Sequence, residues 1–500
     1  MRLIRTFILF CEDCRMSRAC LATIIALLLS ACLSAKPPEP KDVLALNHVT
    51  IIDGTGAPPQ PDMTLVIAAG HLRSIMPTSL RVVPPGARVI DASGDYAIPG
   101  LWDMHTHIAA AGWNNTTVAP KREWTSSILI PQLVAYGITG IRDMGGVLDV
   151  LKETRSRIRA GEIAGPHMIF SGPYLINQKG GGADTMPVFS AEDARKAVDT
   201  LRAQGADFIK VINLDRAAYF AVAAESRKDG LPFVGHVPLA ITATEAANAG
   251  QRSIEHIFYS SLFLDCASDG DALRKRILQA ETQKDGSALA GLVDEADRNF
   301  SAERAAALWQ TFRRHSTWIV PTVINLYTWA HWDSLPANDS GLLLVPHAVR
   351  RDWAPARLSA GMSAAALDWR KRQVRNDVKL IGEMHRAGVP MLAGSDSMDA
   401  YVFPGESLHQ ELAMLVLAGF TPMQALQAAT LQPARFLGKQ AEFGTIEPGK
   451  IADVLLLSAN PLVDIHNTEK IAGLVLGGRY YSQSDLLEMR HKAETAANQP

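Results

Sequence analysis

The sequence predicts an α/β fold: a (β/α)8 TIM-like barrel with a small β-sandwich domain built from both ends of the chain. Three observations predict it. Apolar, strand-like runs alternate with helical patterns through the middle of the chain. Eight such runs occur, enough to close a parallel sheet on itself. Two groups of short strands flank them, one near each terminus. The bulk composition permits this fold. Of the 500 residues 47% are hydrophobic and 20% charged, so a large core is available and global disorder is excluded. A formal net charge of −2 provides no basic balance for nucleic-acid binding.

The N-terminus reads as a leader (residues 1–32) followed by a linker (33–42). Residues 19–29 form an apolar run, short for a membrane span, preceded by Arg15 and Arg18. It ends in Leu29-Ser30-Ala31-Cys32, which resembles a bacterial lipobox. Cys32 is then the expected lipidation site. The protein is expected to be exported and held by a lipid anchor on the periplasmic side of a bacterial membrane. The other reading is an ordinary signal peptide in which Cys32 has no role. Met16 begins a more typical signal peptide than Met1. Of Cys11, Cys14, Cys20, Cys32 and Cys266, only the last two would survive processing, which leaves no disulfide to form. The Pro-rich segment Leu33-Ser-Ala-Lys-Pro-Pro-Glu-Pro40 reads as a tether.

The first part of the small β domain is expected over 43–96. Its strands are 43–52, 63–67 and 71–76, separated by Asp53-Gly54, Pro58-Pro59 and Ala69-Gly70. Its second part is expected over 441–484, with runs at 452–457 and at 471–481, the latter split by Gly477-Gly478. The barrel takes 97–440, and 485–500 is left as a tail. Barrel strands are expected at 98–107, 137–144, 167–174, 207–212, 232–237, 253–258, 317–324 and 390–395. Helical patterns lie between them, among them 191–204, 216–228 and 240–249. The segments 259–315 and 325–386 exceed minimal crossovers and are expected to carry helices over the barrel mouth. Thr421-Pro422 starts a late helix and Gly438 is a stop for it.

Five features carry chemistry. His105-Thr106-His107 ends the first barrel strand, where residues i and i+2 share a face and two imidazoles can meet one ion. Barrel active sites lie at that end. Lys210, in Phe208-Ile-Lys-Val-Ile212, shares its face with Phe208 and Ile212. Burial lowers a lysine's pKa and exposes a neutral amine, which can add carbon dioxide to become an anionic carbamate. Read by periodicity alone, Lys210 instead snorkels to the strand end. His236 and His256 follow on the next two strands, and Asp396 ends Met391-Leu-Ala-Gly-Ser-Asp396. A lone strand histidine is usually a core residue, and a terminal aspartate is often a helix cap. The ordered set across five strands is not explained by such separate roles.

That set resembles the amidohydrolase superfamily, in particular its binuclear, carboxylated-lysine members related to imidazolonepropionase and prolidase. The resemblance extends to Ala97-Ile-Pro-Gly-Leu-Trp-Asp-Met-His-Thr-His107, Gly137-Ile-Thr-Gly-Ile-Arg-Asp-Met-Gly145, Gly205-Ala-Asp-Phe-Ile-Lys210, Val234-Gly-His-Val-Pro238 and Gly444-Thr-Ile-Glu-Pro-Gly-Lys-Ile-Ala-Asp453. It covers residues 43–481. It implies two divalent ions, zinc by ligand type, with His105, His107 and Asp396 on the more buried one and His236 and His256 on the second. Carboxylated Lys210 would bridge them together with a hydroxide, the nucleophile. Asp396 would be the catalytic proton shuttle. The implied substrate is a small molecule with an amide or peptide-type C–N bond.

Some related dipeptidases carry a tyrosine after the fifth-strand histidine and a histidine after strand three. Here Val237-Pro-Leu-Ala240 and Gly180-Gly-Gly-Ala183 stand at those places. Tyr174 and Arg142 are candidates for substrate contact, or else a packed tyrosine and a structural ion pair. Trp318, Tyr327 and Trp329 either shape an apolar pocket or pack. Two other functions stay open. A mononuclear deaminase or cyclic-amide hydrolase usually needs a strand-five acid that Val234-Gly-His236 lacks. A non-catalytic lipoprotein would have no need of an intact ligand set. A homo-oligomer is left open.

Overall fold

The computed structural model describes residues 43–499 apart from 82, 111–115, 117 and 259–260. The leader, Cys32 and the linker lie outside the described residues. The strands, in chain order, begin with β1 (Val43–Ile51), β2 (Gln60–Ala68), β3 (His71–Pro77), β4 (Arg88–Asp91) and β5 (Tyr96–Pro99). These join β15 (Val454–Leu457), β16 (Ile471–Leu476) and β17 (Arg479–Ser482) in one eight-stranded sheet, ordered β17-β16-β15-β5-β1-β2-β3 with β4 on β1. Both chain ends therefore build one unit, because β15 pairs antiparallel with β5. The period of two explains how β15 serves two cores. Val454 and Leu456 pack with Leu46, Leu65 and Ile67 inside this sheet, while Leu455 and Leu457 face the larger core.

The middle of the chain holds the parallel strands. β6 (Leu101–Thr106), β7 (Ile138–Asp143) and β8 (His167–Phe170) form one set. β9 (Tyr174–Ile176), β10 (Thr185–Pro187), β11 (Ile209–Val211), β12 (Phe233–Gly235), β13 (Ser253–Glu255) and β14 (Trp318–Val320) form another. Backbone bonds link the sets on both sides. Asp207 N donates to Phe170 O at 2.9 Å, and Leu392 N to Ile319 O and Met104 N to Ala393 O at 3.0 Å each. Alternation separates the faces. Ile209 and Val211 pack against the surrounding helices, whereas Phe208 packs with Trp102, Trp318 and Phe436 on the inner side.

Two strand expectations are corrected. The run 390–395 is not a regular strand; it makes a single bridge, Met391 with Ile319, and a second follows just beyond it, Ser397 with Thr106. Its amides are diverted: Ser395 N donates to Asp103 Oδ1 at 2.9 Å and Ala393 N to Ala428 O at 2.9 Å. The run 167–174 breaks into β8 and the start of β9, because Gly172 takes a left-handed φ of 70°.

Helices follow their end signals. Ala191–Gln204 is capped by Ser190 and stopped by left-handed Gly205, and Arg216–Asp229 by Asp215 and Gly230. The helix expected from 240 begins at Ala243, since Thr242 and Glu245 make a capping box. The single late helix is two, Pro422–Ala428 and Leu431–Leu437, broken at Thr430. The long insertions are helical, including Gly270–Gln283, Gly286–Arg298, Val323–Ala330 and Ala364–Arg386. Beyond residue 484, where no element is expected, the chain continues a helix, Gln483–Ala497, packed on Ile130–Ala135.

Candidate metal centre

The residues singled out in the sequence gather where the parallel strands end. His105 is the penultimate residue of β6 and His107 lies just past its end; Lys210 is mid-β11; His236 and His256 directly follow β12 and β13. Local geometry aims them. Gly235 has φ 128°, and a Cβ there would lie 2.1 Å from Val211 O, so only glycine lets the chain turn His236 inward. His256 and Asp396 sit at left-handed φ values of 62° and 60°. Their amides are held by Val320 O at 2.9 Å and His105 O at 2.8 Å. Non-glycine residues in that region cost about 1–3 kcal/mol each and persist where the surroundings fix them, often at functional sites.

His105, His107 and Asp396 offer ligand atoms that all lie within 4.8 Å of one another, a set able to hold a metal ion. Asp396 Oδ1 is 3.2 Å from His105 Nε2 and 3.3 Å from His107 Nε2. His256 Nε2 is 3.8 Å from Asp396 Oδ2, and Lys210 Nζ is 3.4 Å from His105 Nε2. The His236 and His256 rings stand edge to face at 4.9 Å. A cavity of about 230 Å³ opens onto His107, Lys210, His236, His256 and Asp396.

The other ring nitrogens set the tautomers. His105 Nδ1 donates to Glu255 Oε2 at 2.9 Å, and His107 Nδ1 to Gly145 O at 2.9 Å. In the neutral ring each Nε2 is then the acceptor, facing the site as a ligand requires. Burial opposes a charge on His107, but the hydrogen bond and charge of Asp396 outweigh it and raise the His107 pKa. His256 Nδ1 pairs with Thr322 Oγ1 at 2.6 Å. Burial, with the nearby Lys210 ammonium adding to it, holds His105 and His236 neutral, well below the usual imidazole range. Burial also takes His256 down to about 4. Burial draws the Lys210 ammonium down to about 8. It works against the charge of Asp396, but His256, His107 and Lys210 outweigh it and hold that carboxyl below the usual range.

Of the two substrate-contact candidates, Tyr174 lines the cavity, its ring against Gly145. Arg142 does not. It is fully buried, donating to Met104 O at 2.6 Å, Ser253 Oγ at 2.9 Å and the Glu255 carboxylate at 2.9 and 3.0 Å. A guanidinium so enclosed has no face for a substrate; it is an ion pair inside the fold. Of the three aromatic candidates, Trp329 lines a neighbouring cavity, Trp318 packs edge-on to Phe436, and Tyr327 lies over His331.

Sequence reasoning missed the supporting residues. Asn325 Nδ2 donates to Asp396 Oδ2 at 3.0 Å and also to Asp399. Asp143 accepts from Ile108 N at 2.7 Å and Gly145 N at 3.2 Å. Glu255 had a usable signal: Arg142 on an apolar strand needs a buried counter-charge, and Glu255 is the acid on β13. Asn325 had none, since it comes from an insertion helix.

Comparison with known proteins agrees with this geometry. The model of the amidohydrolase family matches residues 96–480. An imidazolonepropionase from Symbiobacterium thermophilum is 24% identical over 443 residues, covering 84% of this chain and 92% of that protein. Among solved structures, a Xaa-Pro dipeptidase with bound methionine in its active site superposes with TM-score 0.63 at 18% identity, covering 88% of this chain and all of the other. A bottromycin amidohydrolase superposes with TM-score 0.65 at 21% identity, covering 93% and 92%. The chain belongs to the amidohydrolase family and is a hydrolase acting on carbon–nitrogen bonds.

Proposed function

We propose that the chain is a binuclear metal-dependent hydrolase cleaving amide or peptide-type bonds of small molecules, on a closed barrel of eight parallel segments. One observation carries this reading. His105 Nε2 and His107 Nε2 both face one oxygen of Asp396, at 3.2 and 3.3 Å, so that three ligand-type atoms converge on one point. Such a set repels unless a cation or proton lies between its members, and nitrogen with carboxylate oxygen suits zinc. His105, His107 and Asp396 would hold one ion, and His236 and His256 the other.

Lys210 supports the second ion. With the ammonium drawn down to about 8, part of the population is a neutral amine near pH 7 to 8. That amine can attack carbon dioxide, forming an N–C bond and releasing one proton. The resulting anion would supply two further oxygens. Bound divalent ions contribute Lewis acidity, polarising the scissile carbonyl and acidifying water. Asp396, at the edge of the cavity, would accept a proton from a nucleophilic water and return it to the leaving nitrogen. Asn325 keeps the carboxylate oriented during the exchange. Tyr174, on the cavity wall, meets the substrate. Dipeptides are one substrate class to test, as the likeness to a Xaa-Pro dipeptidase suggests.

Metal analysis of the purified protein tests the reading. Close to two ions per chain are expected, and Lys210→Ala should lose one or both together with activity. Full metal and full activity in that variant overturn the carbamate. A single-ion enzyme is favoured by one fact: among the described residues His236 and His256 fall outside the set of ligand atoms within 4.8 Å. One ion per chain in a fully active protein decides for it. Residues 1–32 are read as an export leader with Cys32 lipidated. Loss of membrane association in Cys32→Ser would support this, and unchanged membrane association would refute it.

A further inference from the structure

We infer that the substrate carries one large, uncharged apolar substituent beside the scissile bond, housed in a chamber that the two long insertions build next to the metal centre. This rests on the amide-hydrolase reading above and adds the substrate's shape to it.

The chamber measures about 920 Å³, against about 230 Å³ for the cavity at the metal centre. Ile212 and His236 line both, so the two cavities adjoin at a proposed metal ligand. Its walls come from several helices. Ile277 lies on Gly270–Gln283, Leu289 and Val293 on Gly286–Arg298, Trp329 on Val323–Ala330 and Trp369 on Ala364–Arg386. Phe258 stands among the aromatics, stacked on Phe263 at 6.1 Å and edge-on to Trp369 at 5.8 Å. Such surfaces favour an apolar occupant.

The charges on the wall do not ask for a charged one. Arg372 pairs with Asp294 at 3.2 Å. Arg370 lies over the Trp329 ring at 3.5 Å and donates to Trp329 O at 3.2 Å. Glu281 remains, in an exposed position at the edge. A small polar dipeptide would leave most of this volume to water. An apolar chain would displace that water, at about four-fold in affinity for each methylene buried.

Two substrate series test this on the metal-loaded protein. One extends the acyl side, from N-acetylglycine to N-octanoylglycine. The other extends the amine side, from N-acetylalanine to N-acetyl-2-aminodecanoate. In one of them kcat/KM should rise by on the order of 1,000- to 10,000-fold along the series, following the same per-methylene gain. A terminal carboxylate on the longest member should abolish the rise. Gly291 lines the chamber, and a Cβ there meets nothing within 4 Å. Gly291→Trp should cut the long-to-short ratio at least ten-fold, with Gly291→Ala keeping it and metal content verifying the fold of both. Flat kcat/KM in both series, with cleavage occurring, overturns the chamber and leaves the amide reading intact. Cleavage of no member overturns the amide reading and the inference with it.

Discussion

Glu255 Oε2 stands 2.9 Å from His105 Nδ1, and the same carboxylate receives Arg142 Nη2 at 2.9 and 3.0 Å. All three side chains are fully buried. One carboxylate thus balances a buried cation and fixes the tautomer of a metal-ligand candidate. Glu255→Gln should weaken metal binding about 10- to 100-fold, as changes behind a ligand commonly do. Glu255→Ala should also cost about 3–5 kcal/mol, since Arg142 stays buried without its counter-charge. Chelator competition and urea unfolding measure the two effects; equal unfolding midpoints for Glu255→Ala and the parent protein would refute the second.

Gly235→Ala should misplace His236. The added methyl would sit 2.1 Å from Val211 O at a φ of 128°, so the backbone must move. A loss of about 1–3 kcal/mol in stability is expected. Activity should fall toward that of His236→Ala. Normal turnover in Gly235→Ala would show that His236 does not need this turn.

Asn325→Leu should act on turnover more than on binding. The side chains are close in size, but leucine cannot donate to Asp396 Oδ2. A kcat lowered about 10- to 100-fold with KM little changed is the expected result. A change in KM alone would place Asn325 at the substrate instead.

The pH dependence of stability has one source outside the set of metal-ligand candidates. His409 is buried on Glu406–Leu417; its Nε2 donates to Tyr136 O at 2.9 Å, and its Nδ1 has no hydrogen-bond partner among the described residues. A second proton there would be buried with nothing to receive it. Burial therefore takes its pKa down to about 4, against 6.5 for an ordinary histidine. Above pH 6.5 folded and unfolded states are both neutral, and the neutral packing is fully favourable. As pH falls from 6.5 to 4 only the unfolded state gains the proton, so stability drops, by roughly 3 kcal/mol at most. His409→Gln should lose that slope in urea midpoints compared between pH 7 and 4. An unchanged slope would assign the acid sensitivity elsewhere.

Much of the molecule was determined by sequence alone. Alternation on Phe208–Ile212 put Lys210 on one face with Phe208 and Ile212, and Thr421 started its helix, because period and end chemistry are local properties. The set His105, His107, Lys210, His236, His256 and Asp396 was legible because each member ends or interrupts an apolar strand run. The tertiary structure decided what those side chains touch. It decided between the two readings of Arg142 in favour of a buried ion pair, brought Glu255 and Asn325 behind the ligands, and opened a large apolar chamber under helices of two insertions. It also turned the eighth strand run into a bridged segment, since Asp103 and Ala428 claim its amides. These contacts join residues far apart in the chain, and burial and hydrogen bonding across such separations leave no period to read.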